Sequence, residues 1–215
     1  MFNREIRDLD FVPRWAIVRT VRPQSVATHS FFVAAYTNDL CLLLDVPMKI
    51  HLSAMQYAIC HDWDEIFTGD IPGPHKHRLL RLMTVKNSWK TQISKWADRV
   101  FPKLAEREGL EHLTEFDRKT VRGIIKVADH LDAACYMGDE CGIGNSNAQE
   151  WFVRLSVECV DAMVELGEHL GLKEDAVDEV VEKLWTAVNA ARDGRSRGPS
   201  APYDDEEEAK KAAKD

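Results

Sequence analysis

The chain has 215 residues, of which 45% are hydrophobic, so it is long and apolar enough to bury the core of one domain. Its formal net charge is −8 and its sequence pI is about 5.5. An acidic chain lacks the basic surface that nucleic acids and anionic membranes require, so we expect neither as a partner. A small anionic substrate remains compatible with this charge, because a local basic pocket can form in an acidic protein.

The cysteines and the apolar segments indicate the compartment. The cysteines are five, an odd number, and form no Cys-x-x-Cys pair, which is typical of a reducing compartment without disulfides. The N-terminal segment MFNREIRDLDF has no long apolar core, so we do not expect a signal peptide. No segment approaches the roughly 20 apolar residues of a membrane span. We therefore predict a cytoplasmic protein.

Helical periodicity dominates the chain, and strand patterns are almost absent. The first long apolar run begins at Ser25, a residue type that caps helix N-termini, and the second is stopped by Gly69 and a Pro-Gly-Pro turn. The segments with helical patterns are 25–45, 50–68, 76–100, 115–140, 146–170 and 173–193. We predict an all-α fold of about six or seven helices.

The composition changes near residue 194. The segment 194–215 is poor in apolar residues and runs from acidic to basic, which is typical of a solvated, flexible tail. We therefore predict one helical domain over residues 1–193 and a flexible charged C-terminal tail over 194–215.

Ionisable residues occur in three helices where the pattern expects core. His61 and Asp62 follow the apolar run LSAMQYAIC, His29 lies beside Phe31 and Phe32, and Asp129 lies in IIKVADHLDAA. A single histidine in such a helix is more often a satisfied core residue, but a buried carboxylate needs a partner. One divalent metal bound by His29, His61, Asp62 and Asp129 would satisfy all of these groups together.

The order of these residues, His, then His-Asp, then Asp, resembles that of the HD-domain phosphohydrolases, and in particular their small bacterial 5′-deoxynucleotidase branch. RWAIVRTVRPQSVATHS at 14–30 resembles the opening of that branch, and HDWDEIFTGDIPGPHK at 61–76 is similar to its central motif. KVAD at 126–129 resembles its last element. The resemblance covers roughly residues 10–190 and implies an HD-domain helical bundle.

The resemblance implies a role for each site residue. His29, His61, Asp62 and Asp129 would hold one divalent ion (manganese, cobalt or zinc), which would bind a phosphate oxygen and acidify a water. Glu65 lies four residues after His61, and the two share one helix face if the helix extends that far. Glu65 would then orient or deprotonate the attacking water.

The remaining implied residues contact the nucleotide. Arg14, Lys76 and Lys126 would neutralise the phosphate, although Lys76 also fits an ordinary solvated run after a turn. Trp15 would pack against the sugar and exclude a 2′-hydroxyl. Asp70, which we group with Glu65 among the catalytic residues, would accept a hydrogen bond from the 3′-hydroxyl. Ile17 and Pro74 would flank the base.

The leading interpretation is a metal-dependent 5′-deoxynucleotidase, which converts a deoxynucleoside monophosphate into deoxynucleoside and phosphate. The alternative is a deoxynucleoside triphosphate triphosphohydrolase of the phage dATP type, which shares the same frame, including a tryptophan followed two residues later by an isoleucine. An alternative of another class is a non-catalytic helical binding protein. Relatives of this kind are often dimers, so we expect a homodimer, with an interface on the helices at 146–193.

Overall fold

A computed structural model describes residues 4–71 and 110–194, and the regular elements within these ranges are helices. The helices, in chain order, are a 3-10 helix Arg4–Phe11, α1 Val26–Leu43, α2 Met48–Cys60, α3 Glu65–Thr68, α4 Glu115–Gly142, a 3-10 helix Ser146–Ala148, α5 Gln149–Leu170 and α6 Glu174–Arg192. The predicted all-α class is confirmed. The predicted helix at 76–100, the residues Pro74 and Lys76, and the tail beyond residue 194 lie outside the described ranges.

Local capping groups set several helix ends. The Ser25 side chain accepts a hydrogen bond from the backbone N–H of Thr28, 3.2 Å away, which confirms the predicted cap of α1. At the start of α4, Thr114 and Asp117 form a reciprocal capping box. Helix α5 ends at Gly171, whose φ of 67° is the left-handed conformation that glycine adopts without a steric penalty.

Helix α4 is the centre of the fold and contacts α1, α2, α5 and α6. Its residues Val121, Ile124, Val127, Ala128 and Ala134 are fully buried. A helix surrounded on most sides must be apolar around most of its circumference, so a polar residue on an inner position of α4 requires a specific partner. Asp132, which is 3% exposed, is such a residue.

The predicted helix at 50–68 is interrupted, which corrects one expectation. Helix α2 ends at Cys60, and the next hydrogen bonds join residues three apart rather than four, from the N–H of Trp63 to the carbonyl of Cys60 and from the N–H of Glu65 to the carbonyl of Asp62. His61 and Glu65 therefore do not share the face of one continuous α-helix. The tighter turn carries His61 and Asp62 between α2 and α3.

The segment between the first 3-10 helix and α1 is held by a short antiparallel bridge between Pro13 and Ser25. Arg14 N–H donates to the carbonyl of Gln24, and Val26 N–H donates to the carbonyl of Val12, each at 2.9 Å. This bridge fixes both ends of the loop that carries residues 14–24 and places it against α4.

Within residues 4–71 and 110–194, no helix combines the length and the apolar character needed to cross a membrane.

Candidate metal and nucleotide site

Three elements bring the four predicted metal ligands together. His29 comes from α1, His61 and Asp62 from the turn after α2, and Asp129 from α4. His29 Nε2 lies 3.1 Å from Asp129 Oδ1 and 3.5 Å from Asp62 Oδ2, and His61 Nε2 lies 3.2 Å from the same Asp62 oxygen. Ligand atoms of His29, His61 and Asp62 all lie within 4.8 Å of one another.

The two imidazoles are arranged as metal ligands usually are. His29 Nδ1 lies 2.6 Å from Asp132 Oδ2, and His61 Nδ1 donates to the carbonyl of Ala58 at 2.8 Å. Both Nε2 atoms are buried and have no hydrogen-bond partner. A histidine whose Nδ1–H is held by an oxygen presents the lone pair of Nε2, and two such nitrogens with two carboxylates fit a divalent ion.

The charges of these groups also indicate a site for a cation. Burial opposes protonation of His61, but the facing Asp62 carboxylate raises the pKa of His61 to about 9. Burial likewise opposes ionisation of Asp129, and the facing His29 imidazole lowers the pKa of Asp129 below its ordinary value. The two carboxylates thus require positive charge between the imidazoles, and a divalent cation would supply the charge that protons otherwise provide.

Glu65 is buried at the first turn of α3, with 5% of its surface exposed. Its N–H donates to the carbonyl of Asp62 at 3.0 Å, so one tight turn carries both the metal-ligand candidate and this glutamate. The neighbouring Trp63 packs with Leu9 and Val26 in a small apolar cluster that fixes the turn from behind. The interrupted helix therefore still keeps Glu65 buried one turn away from Asp62.

Arg14 lies at the edge of the ligand cluster. Its Nη1 is 3.5 Å from Asp62 Oδ2, its guanidinium is 5.7 Å from the centroid of the Trp15 ring, and only 13% of its side chain is exposed. The Nε–H of Arg14 is buried and has no hydrogen-bond partner. A buried guanidinium with a donor to spare is suited to an anion that also approaches the metal ligands.

A cavity of about 610 Å³ opens beside the cluster. It is lined by six of the predicted site residues, Arg14, Trp15, Ile17, Asp70, Lys126 and Asp129, and by residues of α5 that include Trp151, Arg154, Leu155, Glu158, Asp161 and Glu165. His29, His61, Asp62 and Glu65 do not line this cavity, which meets the ligand cluster at Asp129. Its volume falls in the range of cavities that hold small molecules.

Trp15 is fixed on three sides. Its indole stacks on Tyr136 with ring centroids 5.4 Å apart and an interplanar angle of 6°, its Nε1–H donates to Gln24 Oε1 at 2.7 Å, and its backbone N–H donates to Asp70 Oδ2 at 3.2 Å. Its φ of 67° is uncommon for a residue with a side chain. Such a conformation persists where surrounding contacts determine it, as they do here.

Lys126 lies on the cavity wall, where it forms an ion pair that the sequence did not predict. Its Nζ is 2.7 Å from Glu165 Oε2 of α5, and half of the side chain is exposed. A second cation on that wall, Arg154, is bound in the same way to Glu158 at 2.8 Å. Helix α5 thus supplies one carboxylate to each of these two cations.

The site also contains three residues that the sequence pattern did not single out, Asp132, Gln24 and Tyr136. Asp132 is a buried carboxylate in an apolar helix, the same feature that singled out Asp129, so it could have been found. Gln24 lies in a loop, and Tyr136 is a common residue type for a helix, so neither stands out in the sequence.

A protein-family model with the description 5′-deoxynucleotidase YfbR-like matches residues 1–168. The chain belongs to this family. Among curated proteins to which the chain is similar, a dATP triphosphohydrolase of Salmonella phage PMBT28 is 30% identical over 144 residues, and these cover 64% of the present chain and 66% of that protein. A 5′-deoxynucleotidase of Pectobacterium atrosepticum is 26% identical over 161 residues, 67% of this chain and 75% of the relative.

The chain therefore spans somewhat less than two thirds of the length of that phage enzyme, and only 37% of the length of a dATP triphosphohydrolase of cyanophage S-2L to which it is 38% identical over 65 residues. Among solved structures, the cyanophage S-2L HD phosphohydrolase DatZ, bound to dA and one catalytic Zn²⁺ ion, superimposes with a TM-score of 0.65 at 21% identity. The alignment covers 87% of this chain and 96% of DatZ, so this YfbR-like protein shares the HD-domain fold.

Proposed function

We propose that this protein is a metal-dependent phosphohydrolase of 2′-deoxynucleotides, and specifically a 5′-deoxynucleotidase. The observation that carries the proposal is the pair of buried, unpartnered Nε2 atoms of His29 and His61 beside Asp62 and Asp129. Membership of the YfbR-like family supports the reaction class.

The residues around the proposed metal have distinct tasks. His29, His61, Asp62 and Asp129 would hold one divalent ion, and their mixed nitrogen and oxygen donors suit zinc, cobalt or manganese. The ion supplies Lewis-acid polarisation of the phosphate and lowers the pKa of water at the site. DatZ, with the same fold, binds one catalytic Zn²⁺, which supports a single-ion site in this chain.

The protein's own side chains would position the nucleotide and move the proton. Glu65, buried one turn from Asp62, would take the proton from the attacking water. Arg14, with its buried Nε–H, would bind the non-bridging phosphate oxygens as charge develops on them. Lys126 would add a second cation at the cavity wall, and Lys76 a third from outside the described ranges.

The sugar and base would lie in the cavity beyond Asp129. Trp15 would face the deoxyribose as a rigid wall, because its ring is stacked on Tyr136 and its indole N–H is held by Gln24. A rigid ring packed against the 2′-carbon would clash with a 2′-hydroxyl, which would favour deoxyribose. Asp70 would accept a hydrogen bond from the 3′-hydroxyl of the sugar. Ile17, which is 46% exposed, would cover one face of the base, with Pro74 on the other.

The charges on α5 favour a monophosphate. Lys126 and Arg154, two cations that line the cavity, are each bound to a carboxylate of α5. Asp161 adds a further negative charge to the same wall. A triphosphate carries more negative charge and would have to displace both ion pairs, whereas a monophosphate bound by Arg14 would need at most Lys126.

The second candidate is a deoxynucleoside triphosphate triphosphohydrolase. Its support is the 30% identity to the dATP triphosphohydrolase of Salmonella phage PMBT28 and the fold shared with DatZ. Both candidates place the same metal ligands and Glu65 at the bond between the 5′-oxygen and the α-phosphorus.

A product assay separates the candidates. Metal-stripped protein would be supplied with Mn²⁺, Co²⁺, Zn²⁺ or no metal, and would receive dAMP, AMP or dATP, with chromatography of the products. We expect deoxynucleoside from dAMP but not AMP, only with metal. His29→Gln should abolish turnover, while the matched control His51→Gln, on α2 and bonded to Asn38 at 3.1 Å, should not.

Other outcomes of this assay contradict the proposal in different ways. Tripolyphosphate from dATP, with little action on dAMP, would establish the second candidate. A protein that binds metal but hydrolyses none of these compounds would point to a non-catalytic binding protein.

We also infer a cytoplasmic homodimer. All five cysteines are free thiols, which supports a reducing compartment. Val153, Val157, Val160 and Val164 lie on one face of α5, spaced by four, three and four residues, and three of them are 41–53% exposed. This spacing suits packing against a second helix of the same kind. Light scattering of the wild type and of Val157→Glu would test the dimer, and a monomeric wild type would contradict it.

A further inference from the structure

A continuous series of hydrogen bonds, buried except at its Trp15 end, joins the proposed sugar wall to the proposed metal site. Trp15 Nε1 donates to Gln24 Oε1 at 2.7 Å, Gln24 Nε2 donates to Asp132 Oδ2 at 3.0 Å, and His29 Nδ1 lies 2.6 Å from the same oxygen. Gln24, His29 and Asp132 are each at most 5% exposed. Gln24 and Asp132 thus lie between two groups with separate proposed tasks, the sugar wall Trp15 and the metal ligand His29.

The donor and acceptor groups of these residues allow the hydrogen bonds to run in only one direction. The indole of Trp15 can donate but cannot accept, so the amide oxygen of Gln24 must face it. The amide NH₂ of Gln24 then faces Asp132, whose carboxylate accepts. With one oxygen of Asp132 accepting from Gln24, the proton between Asp132 and His29 belongs on Nδ1, which leaves Nε2 of His29 as the ligand atom.

We propose that Gln24 and Asp132 are positioning residues that set the tautomer and ring plane of His29 and the indole plane of Trp15 together. Neither residue lines the cavity or belongs to the metal-ligand set. A change at Gln24 would therefore alter two properties that are otherwise separate, metal affinity and discrimination against ribose. The sugar part of this inference rests on the proposed function, whereas the metal part does not.

The two ends of this series of hydrogen bonds, His29 and Trp15, differ in how firmly the rest of the protein holds them. His29 is fully buried in α1 and Asp132 is anchored in α4, so the metal end cannot adjust to a lost partner. Trp15 stands on a loop in a left-handed conformation, and Gln24 is the partner of its indole nitrogen. Without that bond the indole keeps its stacking on Tyr136 but loses the contact that fixes its rotation in the ring plane.

The test uses Asp132→Asn, Gln24→Met and the control Ser156→Ala, which removes a buried hydrogen bond of 2.7 Å on α5 away from the cavity. The first readout is Co²⁺ affinity by calorimetry, together with the visible absorption spectrum of the bound cobalt. We expect about 10–100-fold weaker binding for Asp132→Asn, about 10-fold for Gln24→Met, altered spectra for both, and neither effect for Ser156→Ala. The second readout is the ratio of kcat/KM for dAMP and AMP, which Gln24→Met should lower about 10-fold.

Wild-type cobalt affinity and spectrum in Gln24→Met would overturn the inference, even if its activity fell. An unchanged dAMP to AMP ratio alongside weakened cobalt binding would overturn the link to Trp15. If the wild type hydrolysed no deoxynucleotide, the proposed function would fail, while the cobalt measurements would still decide the positioning role. Should Asp132→Asn not fold, the ¹⁵N shifts of the His29 ring in the wild type would show whether Nδ1 carries the proton.

Discussion

Glu140 allows a prediction of stability that is independent of the proposed reaction. Its side chain is fully buried near the end of α4 and binds the loop that precedes α1. Oε2 accepts from the N–H of Val21 at 2.5 Å and from Asn145 Nδ2 at 2.8 Å, and Oε1 accepts from the N–H of Arg22 at 3.0 Å. The Arg22 guanidinium lies 3.5 Å from Oε1.

The substitution Glu140→Gln keeps the shape but replaces one acceptor oxygen by a donor. If the amide oxygen takes the place of Oε2, the NH₂ group faces the N–H and guanidinium of Arg22, and a buried backbone donor loses its partner. The loss of one charge-assisted hydrogen bond, with an unsatisfied donor left behind, costs about 2–4 kcal/mol. For a chain of this size we expect a fall in Tm of about 4–16 °C.

The effect should also depend on pH. Burial opposes ionisation of Glu140, but the hydrogen bonds from Val21, Asn145 and Arg22 outweigh it and hold the pKa below its ordinary value. A group with a lowered folded-state pKa contributes stability above its unfolded value, here about 4.5, and loses it as the pH falls through the folded value. The difference in unfolding free energy between the wild type and Glu140→Gln should therefore be largest at neutral pH and shrink below about pH 4.5.

Urea unfolding at pH 7 and at pH 4 measures this difference, and the exposed Glu182→Gln on α6 serves as the matched control. We expect the free energy of unfolding of the control to differ from that of the wild type by less than about 0.5 kcal/mol at either pH. A difference for Glu140→Gln that is as small as that of the control, or that does not change with pH, would refute the assignment of Glu140 as an ionised anchor.

Three further predictions concern catalysis, selectivity and packing. Glu65→Gln should lower kcat about 10²–10⁴-fold while Co²⁺ affinity, measured by calorimetry, stays within about 2-fold, and a near wild-type kcat would exclude Glu65 as the base. Glu165→Gln should release Lys126 and raise dATP turnover relative to dAMP, and an unchanged ratio would mean that the ion pair does not select the substrate. Gly142→Ala should lower the free energy of unfolding by about 1–3 kcal/mol in thermal melts, because its Cβ would lie 2.5 Å from a backbone carbonyl of α6. The control Gly123→Ala should leave the free energy of unfolding nearly unchanged, because the atom nearest to its Cβ is the end of a leucine side chain, at 2.8 Å.

The sequence allowed the helices and the metal-ligand candidates to be predicted, because both depend on local patterns. Helix α4 was expected at 115–140 and is observed as Glu115–Gly142, because a buried helix has an unmistakable apolar content and a polar capping residue. The break after Cys60 was not predicted, because a change from four-residue to three-residue hydrogen bonds leaves the order of apolar and polar residues almost unchanged.

Glu140 and Gln24 could not have been assigned for a different reason. A glutamate near a helix end is usually solvated, and a glutamine in a loop has no periodic pattern around it. Both acquire their roles from contacts with residues more than a hundred positions away, Glu140 with Val21 and Gln24 with Asp132. Such pairs depend on how the loop before α1 lies against α4, which the pattern of neither segment specifies.

Asp129 and Asp132 show what the sequence pattern predicts and what only the contacts in the structure reveal. They lie three residues apart on α4, so the helical period places both on the side that faces α1, and composition alone does not distinguish their tasks. In the structure they hold opposite nitrogens of one imidazole, Asp129 at 3.1 Å from Nε2 of His29 and Asp132 at 2.6 Å from Nδ1. Only Nε2 also lies near Asp62, so the proposed metal would bind on the side of Asp129, and Asp132 would orient the ring. The proposed division between ligand and positioning residue thus rests on the two sides of a single histidine, which the spacing of the two aspartates alone does not determine.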